Sequence, residues 1–191
     1  DHHKISLKVF RTLAYIYKAY KNYDWYLKAD DDTFIFMDNL RKFLADKDRN
    51  SPITYGYNFA TRVEGGYHSG GAGYVLSHEA MMKIGWKLAV DNNKTDSCNV
   101  GGVEDTNIAA CLRKCGVKMG NSTDKLGRER FHLFNIQWHL MGPFPDWLNE
   151  SAQNPPKKVY SSLSFLFCCF EINFIRRFKF CLFFLKGYRM L

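Results

Sequence analysis

The chain has 191 residues, 46% of them hydrophobic, and a formal net charge of +8. That length suits one domain with a real core, and that hydrophobic content excludes an intrinsically disordered chain. The positive charge is spread out, with much of it in the tail and no arginine-rich helix or aromatic RNA-binding signature, so it argues against nucleic acid and fits an anionic substrate or a membrane surface.

The first residues carry no signal peptide and no apolar span, and the chain does not begin with Met, so it reads as a fragment. Ile5, Val9, Leu13, Ile16, Tyr17 and Tyr20 recur at helical spacing with Lys8, Arg11 and Lys18 between them, which predicts a helix over residues 5 to 22. Trp25, Tyr26 and Leu27 predict a half-buried strand, and Asp30, Asp31 and Asp32 should sit where it ends, because Asp is a poor strand former. Three adjacent acids repel one another, and a divalent cation among them relieves the repulsion. Asp30 and Asp32, two apart, can converge on one ion. Their hard oxygen ligands suit Mg or Mn, and an ion with few protein ligands keeps positions open for a nucleotide diphosphate. A solvated acidic turn is the other reading of the same residues.

Asp38 is placed to cap a helix with Leu40, Phe43 and Leu44 on its apolar face, Asp46 to Pro52 is a polar break, and Ile53 to Tyr57 reads as a second strand. Helix, strand, helix, strand favours an α/β layer architecture. In His68 to Ser77 the small residues Gly70, Gly71, Ala72 and Gly73 let the backbone approach a ligand or another strand closely. Gly-Gly-Ala-Gly lacks the spacing of either nucleotide-binding glycine motif, and a tight structural turn fits it equally. Tyr74 to Leu76 form a short strand, and Ser77 caps a helix from His78 to about Ala89.

Glu104 and Asp105 open a further helix with Ile108, Cys111 and Leu112 on its apolar face and Gly116 just past its end. A carboxylate at a helix start is favoured by the backbone dipole. It is also where a general base aimed into the cleft of the aspartate triplet would stand. Cys98 and Cys111 flank this acidic segment and could staple it, and no C-x-x-C pair suggests zinc. Sequons at Asn93, Asn121 and Asn149, in polar loop-like stretches, suggest a lumenal protein. Val117 to Met119 is a short strand. His132 and His139 read as satisfied structural histidines. Pro143 to Trp147 is a rigid aromatic loop whose Trp147 either stacks on a sugar face or packs inside. Residues 163 to 185 are dense in Phe, Leu and Cys, yet Glu171, Arg176, Arg177 and Lys179 interrupt the roughly 20 apolar residues that a membrane span needs.

Four stretches together resemble the core 1 β1,3-galactosyltransferase family, the glycoprotein-N-acetylgalactosamine 3-beta-galactosyltransferases. They are Asp24 to Thr33, Ser69 to Ser77, Glu104-Asp105 between Cys98 and Cys111, and Phe131 to Pro156. The resemblance covers roughly residues 5 to 156. It implies an α/β fold of the GT-A type with a mixed central sheet. It also implies an inverting transfer of galactose from UDP-galactose to the 3-hydroxyl of GalNAc linked α to Ser or Thr of glycoproteins, with Mn2+ as cofactor. By resemblance Asp32 leads the metal ligands with Asp30 beside it, Asp105 is the catalytic base with Glu104 its neighbour, and Cys98 and Cys111 are the family's disulfide. Asp31, Gly71, Ala72, Gly73, Tyr74 and Trp147 fall to donor and acceptor binding. The family is Golgi-lumenal, type II membrane-anchored, and admits a homodimer. Two other readings stay open: a Fringe-like β1,3-N-acetylglucosaminyltransferase, and a catalytically silent, chaperone-like relative, against which the acidic triplet counts.

The departures carry expectations of their own. Family members begin earlier, with an anchor, a stem and a first strand that grips uridine, and they end in a segment whose histidine binds metal. No histidine follows His139 here. The domain reading is therefore residues 1–156 as a partial catalytic domain, incomplete at the N-terminus. Residues 157–191 are read as a divergent tail, not native to the family and not packed as a core element, and this piece alone is open to being inactive.

Overall fold

The computed structural model describes residues 2–30, 32–90, 98, 103–155 and 180–184. Helix α1, His2–Ala19, leads into strand β1, Trp25–Ala29. The helix stops short of the expected residue 22, and Tyr26 returns its hydroxyl to the Tyr20 carbonyl at 2.9 Å, satisfying an acceptor that a longer helix would have used. Helix α2 spans Met37–Leu44. Asp38 does not cap it: Phe36 stands at the cap position, and Asp38 lies in the first turn, accepting from Arg41 at 3.0 Å.

The next strands are β2, Ile53–Gly56, β3, Asn58–Phe59, β4, Tyr67–His68, and β5, Tyr74–Ser77. Helix α3, His78–Ala89, follows, with the Ser77 side chain accepting from the Ala80 N–H as its sequence position predicts. Helix α4, Glu104–Lys114, ends before Gly116, whose φ of +72° suits a residue without Cβ. Strand β6, Lys118–Met119, and the short helices α5, Ile136–Met141, and α6, Asp146–Ser151, come next. Trp147 and the sequon residue Asn149 therefore lie on α6 and not in a loop. Asn93 lies outside the described residues.

The main sheet runs β6-β2-β5-β1-β7, where β7 is Phe180–Phe184. Strand β5 is antiparallel to both β1 and β2, while β2–β6 and β1–β7 are parallel, so the sheet is mixed. A small second sheet pairs β3 with β4. Side chains of a strand alternate between faces. Trp25 and Leu27 enter a core with Leu40 and Leu44 of α2. Tyr26 points the other way, into a core with Val9, Leu13 and Ile16 of α1, Ile84 of α3, and Ile108 and Leu112 of α4. Gly85 lets α3 meet α1, since a Cβ there would run into the Tyr17 side chain. Helices thus cover both faces, and every β1 residue is buried.

Most of residues 157–191, and with them the reading of that stretch as a divergent tail, lie outside the described residues; of the tail, β7 is the described part. Strand β1 is buried on both faces, and its edge presents N–H and C=O groups that need partners. Strand β7 supplies them over the register Trp25↔Phe180 to Ala29↔Phe184.

Candidate active site

The site gathers where β1 runs out. Lys28 falls on the same face as Tyr26 and is 1% exposed, so its ammonium must find partners inside the protein. Three are in place among the described residues. Its Nζ stands 3.1 Å from Oδ1 of Asp30 and 3.6 Å from Oε2 of Glu104, and it donates to the Gly70 carbonyl at 2.8 Å. The Tyr74 hydroxyl donates to Oε1 of Glu104 at 2.9 Å. The Gly70 N–H donates to Oδ2 of Asp105 at 3.3 Å. The Gly70 residue thus holds Lys28 on its carbonyl and Asp105 on its amide. Asp30, from the end of β1, and Glu104 and Asp105, from the start of α4, lie on one side of the sheet in a single network.

Burial pushes the Glu104 carboxyl above its ordinary value, and Lys28 and Tyr74 pull it back. Burial, then the Glu104 charge, raises the Tyr74 phenol well above its usual range, so Tyr74 keeps its proton and donates. Tyr74 is 2% exposed and stands behind the site rather than at its surface. Asp105 is only half-buried, and its other oxygen accepts from the Thr106 N–H at 2.8 Å.

The acidic turn is held from the glycine loop. The Asp30 N–H donates to Thr33 Oγ1 at 3.1 Å, and that hydroxyl donates to the Gly71 carbonyl at 3.2 Å. A turn closes Gly70 to Gly73 through a 3.1 Å bond from the Gly73 N–H to the Gly70 carbonyl. Gly73 has φ +75°, and a Cβ there would stand 3.0 Å from the Lys28 carbonyl, so this position needs glycine. Ala72 is buried in a cluster with Tyr57 and Phe59, whereas Gly71 faces open space. Asp32 is exposed, and Asp31 lies outside the described residues.

Carboxylate oxygens on Asp30 and Asp32 fit a hard divalent cation. Among the described residues no three His, Cys, Asp or Glu side chains are grouped to hold a metal ion.

Trp147 is 49% exposed, with its ring 6.2 Å from Phe59, which stacks at 4.9 Å on Tyr67. Burial, with the charge of Asp105, raises the Tyr67 phenol, so this aromatic line runs toward the α4 carboxylates. His132 and His139 meet edge to face at 4.6 Å, and burial lowers both, His132 to about 4. The Cys98–Cys111 disulfide ties the segment before α4 to its middle, leaving Cys115 as a free thiol. Sequence reasoning missed Lys28 and Thr33 as parts of the site, and singled out Gly70 only as a small residue that permits close approach. A lysine in register with Tyr26 on a strand of otherwise apolar residues was the available signal.

The family model for Galactosyltransferase matches residues 1–65, which include β1 and the acidic turn. The chain is 39% identical over 145 residues to glycoprotein-N-acetylgalactosamine 3-beta-galactosyltransferase 1 of Xenopus laevis, covering 75% of this chain and 39% of that protein. It is 23% identical over 127 residues to chondroitin sulfate synthase 3 of Homo sapiens, covering 61% of this chain and 14% of that protein. The chain therefore spans less than half the length of either relative. Among the described residues no helix is long and apolar enough to cross a membrane. On the domain match over residues 1–65 and the 39% identity over 145 residues, the chain is similar to the galactosyltransferases.

Proposed function

We propose that this chain is part of an inverting β1,3-galactosyltransferase of GT-A type that moves galactose from UDP-galactose to GalNAc linked to Ser or Thr of glycoproteins in the Golgi lumen. The observation that carries the reading is the single network joining Asp30, Glu104 and Asp105 through Lys28 and Gly70. A donor-side carboxylate and an acceptor-side carboxylate stand within reach of one another, as a displacement between two bound sugars requires.

Asp32 and Asp30 would hold the cation, Mn2+, which when bound would supply positive charge to offset that of the departing UDP. Asp105 takes the proton of the acceptor hydroxyl. The freed oxygen forms its bond to the anomeric carbon from the face opposite UDP, and the bond from that carbon to the phosphate oxygen breaks with its electron pair going to UDP. An α-linked donor gives a β-linked product. Gly71 leaves room for the donor, and the half-exposed Trp147 offers a ring face to the acceptor.

Calorimetric titration with UDP, with and without manganese, beside the Asp32→Ala variant tests the reading. Manganese-dependent binding that the variant loses is expected, followed by galactose transfer to a GalNAc-peptide. A folded chain that binds UDP equally well without manganese overturns it.

A further inference from the structure

We propose that Lys28 is a positioning residue that couples the acidic turn to the carboxylates of α4, its ammonium being shared between Asp30 and Glu104 so that a cation arriving at Asp30 moves it toward Glu104. The inference rests on the proposed function, in which Asp30 takes part in cation binding. Lys28 is 1% exposed, so solvent is no refuge for its charge, and a displaced ammonium must travel to another acceptor in the protein. The acceptors are named by the structure: Asp30 at 3.1 Å, Glu104 at 3.6 Å and the Gly70 carbonyl at 2.8 Å.

A divalent cation sharing the Asp30 carboxylate lies close enough to repel the ammonium strongly in a dry site. Glu104 cannot follow the ammonium back, because Tyr74 fixes its other oxygen at 2.9 Å. The Tyr74 ring, 5.6 Å from Nζ, bounds the path on one side. Gly70 has no slack either, since a Cβ on it would lie 2.7 Å from Oε2 of Glu104. Movement of Nζ toward Glu104 therefore pulls on the carbonyl of Gly70, the residue whose N–H holds Asp105. Occupancy of the donor side is thus reported to the acceptor-side carboxylate through one lysine and one glycine.

The test measures manganese affinity of the full chain by electron paramagnetic resonance, with no donor sugar present. The wild type is compared with Glu104→Gln, Lys28→Met and the double variant. Glu104→Gln leaves Asp30 as the one carboxylate among the ammonium's named partners, and its loss of manganese affinity is expected to be about tenfold larger with Lys28 present than in the Lys28→Met background. Lys28→Arg, which keeps the charge, should retain that coupling. An equal loss in the two backgrounds overturns the proposal while leaving the proposed function standing. A folded wild type that binds no manganese overturns the coupling, and the UDP titration then decides the proposed function by itself. Should Lys28→Met not fold, magnesium titration of the wild type followed by amide NMR carries the test. The Gly70 amide is expected to shift with the ion, and a Gly70 resonance that stays put while that of Asp30 moves overturns the coupling.

Discussion

The two ends of the candidate site are built on opposite plans. At the α4 end, Glu104 is 6% exposed and both its oxygens have partners, and the lysine that neutralises it is buried deeper still. At the acidic turn, Asp32 is exposed, and the residues that follow present Phe34 and Phe36 to solvent at 80% and 51%. A carboxylate whose hydrogen bonds are already made costs little reorganisation when charge develops beside it. A carboxylate in the open has its ligand positions still to fill. The α4 end is thus pre-organised protein, and the turn is open, as the proposed function requires of a place where a ligand would bind.

The difference sets the order of mutational effects. The largest belong to the buried pair. Glu104→Ala leaves the Lys28 ammonium without its α4 partner, and Lys28→Ala strips both carboxylates of theirs. Lys28→Ala is expected to lower unfolding free energy in urea by about 3–5 kcal/mol, the cost of breaking a buried pair, and Glu104→Ala, which leaves Lys28 its Asp30 and Gly70 partners, by about 1–3 kcal/mol. A loss below about 1 kcal/mol in either variant would show that water reaches this end and would remove the contrast.

Neighbouring glycines sharpen the comparison at single-residue distance. Gly70→Ala places a Cβ 2.7 Å from Oε2 of Glu104, whereas Gly71→Ala meets nothing within 4 Å. The first is expected to cost about 1–3 kcal/mol and the second to fall within about 0.5 kcal/mol of the wild type. Denaturant midpoints of the two variants decide it, and equal midpoints would mean that the loop shifts as a unit and does not press on the network.

The buried end also predicts a pH dependence. His68 is buried, with Nε2 2.9 Å from Thr54 Oγ1, and burial, then Arg113, holds its imidazole down to about 3. The ordinary imidazole value is about 6.5. A folded pKa below the unfolded one contributes stability that is present above about 6.5 and is lost as pH falls toward 3. His132, held by burial at about 4, acts in the same sense over a narrower window. Unfolding free energy of the wild type should therefore decline below pH 6.5, and His68→Gln should flatten that decline. A variant curve parallel to the wild type would assign the decline elsewhere.

Much of this fold was legible in the sequence where local chemistry speaks. Ser77 capping α3, Gly116 closing α4, and the acids at the end of β1 follow from residue preference alone. The misplacements have tertiary causes. Helix α1 stops early where the Tyr26 hydroxyl takes the Tyr20 carbonyl, a contact between two elements that no local pattern announces. Lys28 was passed over because a lysine in a strand usually marks a solvated face, and its burial depends on Glu104 arriving from a helix far along the chain. Strand β7 was unreadable for a similar reason, since its pairing is set by the open edge of β1 and not by its own pattern.

The smallest expected effect on stability comes from the open end, and it is the most informative. Asp32 is exposed, so Asp32→Ala should change unfolding free energy by no more than about 0.5 kcal/mol. The same change should abolish manganese-dependent UDP binding, because it removes one of the two carboxylates offered to the ion. Stability and binding are then separated in one variant, which Glu104→Ala cannot do. If Asp32→Ala destabilises the chain as much as Glu104→Ala does, the turn is a structural element as firmly built as the α4 end, and the two halves of the site do not differ in kind. If it leaves the fold intact and binding unchanged, the cation is held elsewhere. Loss of binding in an unperturbed fold is the outcome that makes the acidic turn a ligand site completed from outside, standing against a carboxylate network complete before any ligand arrives.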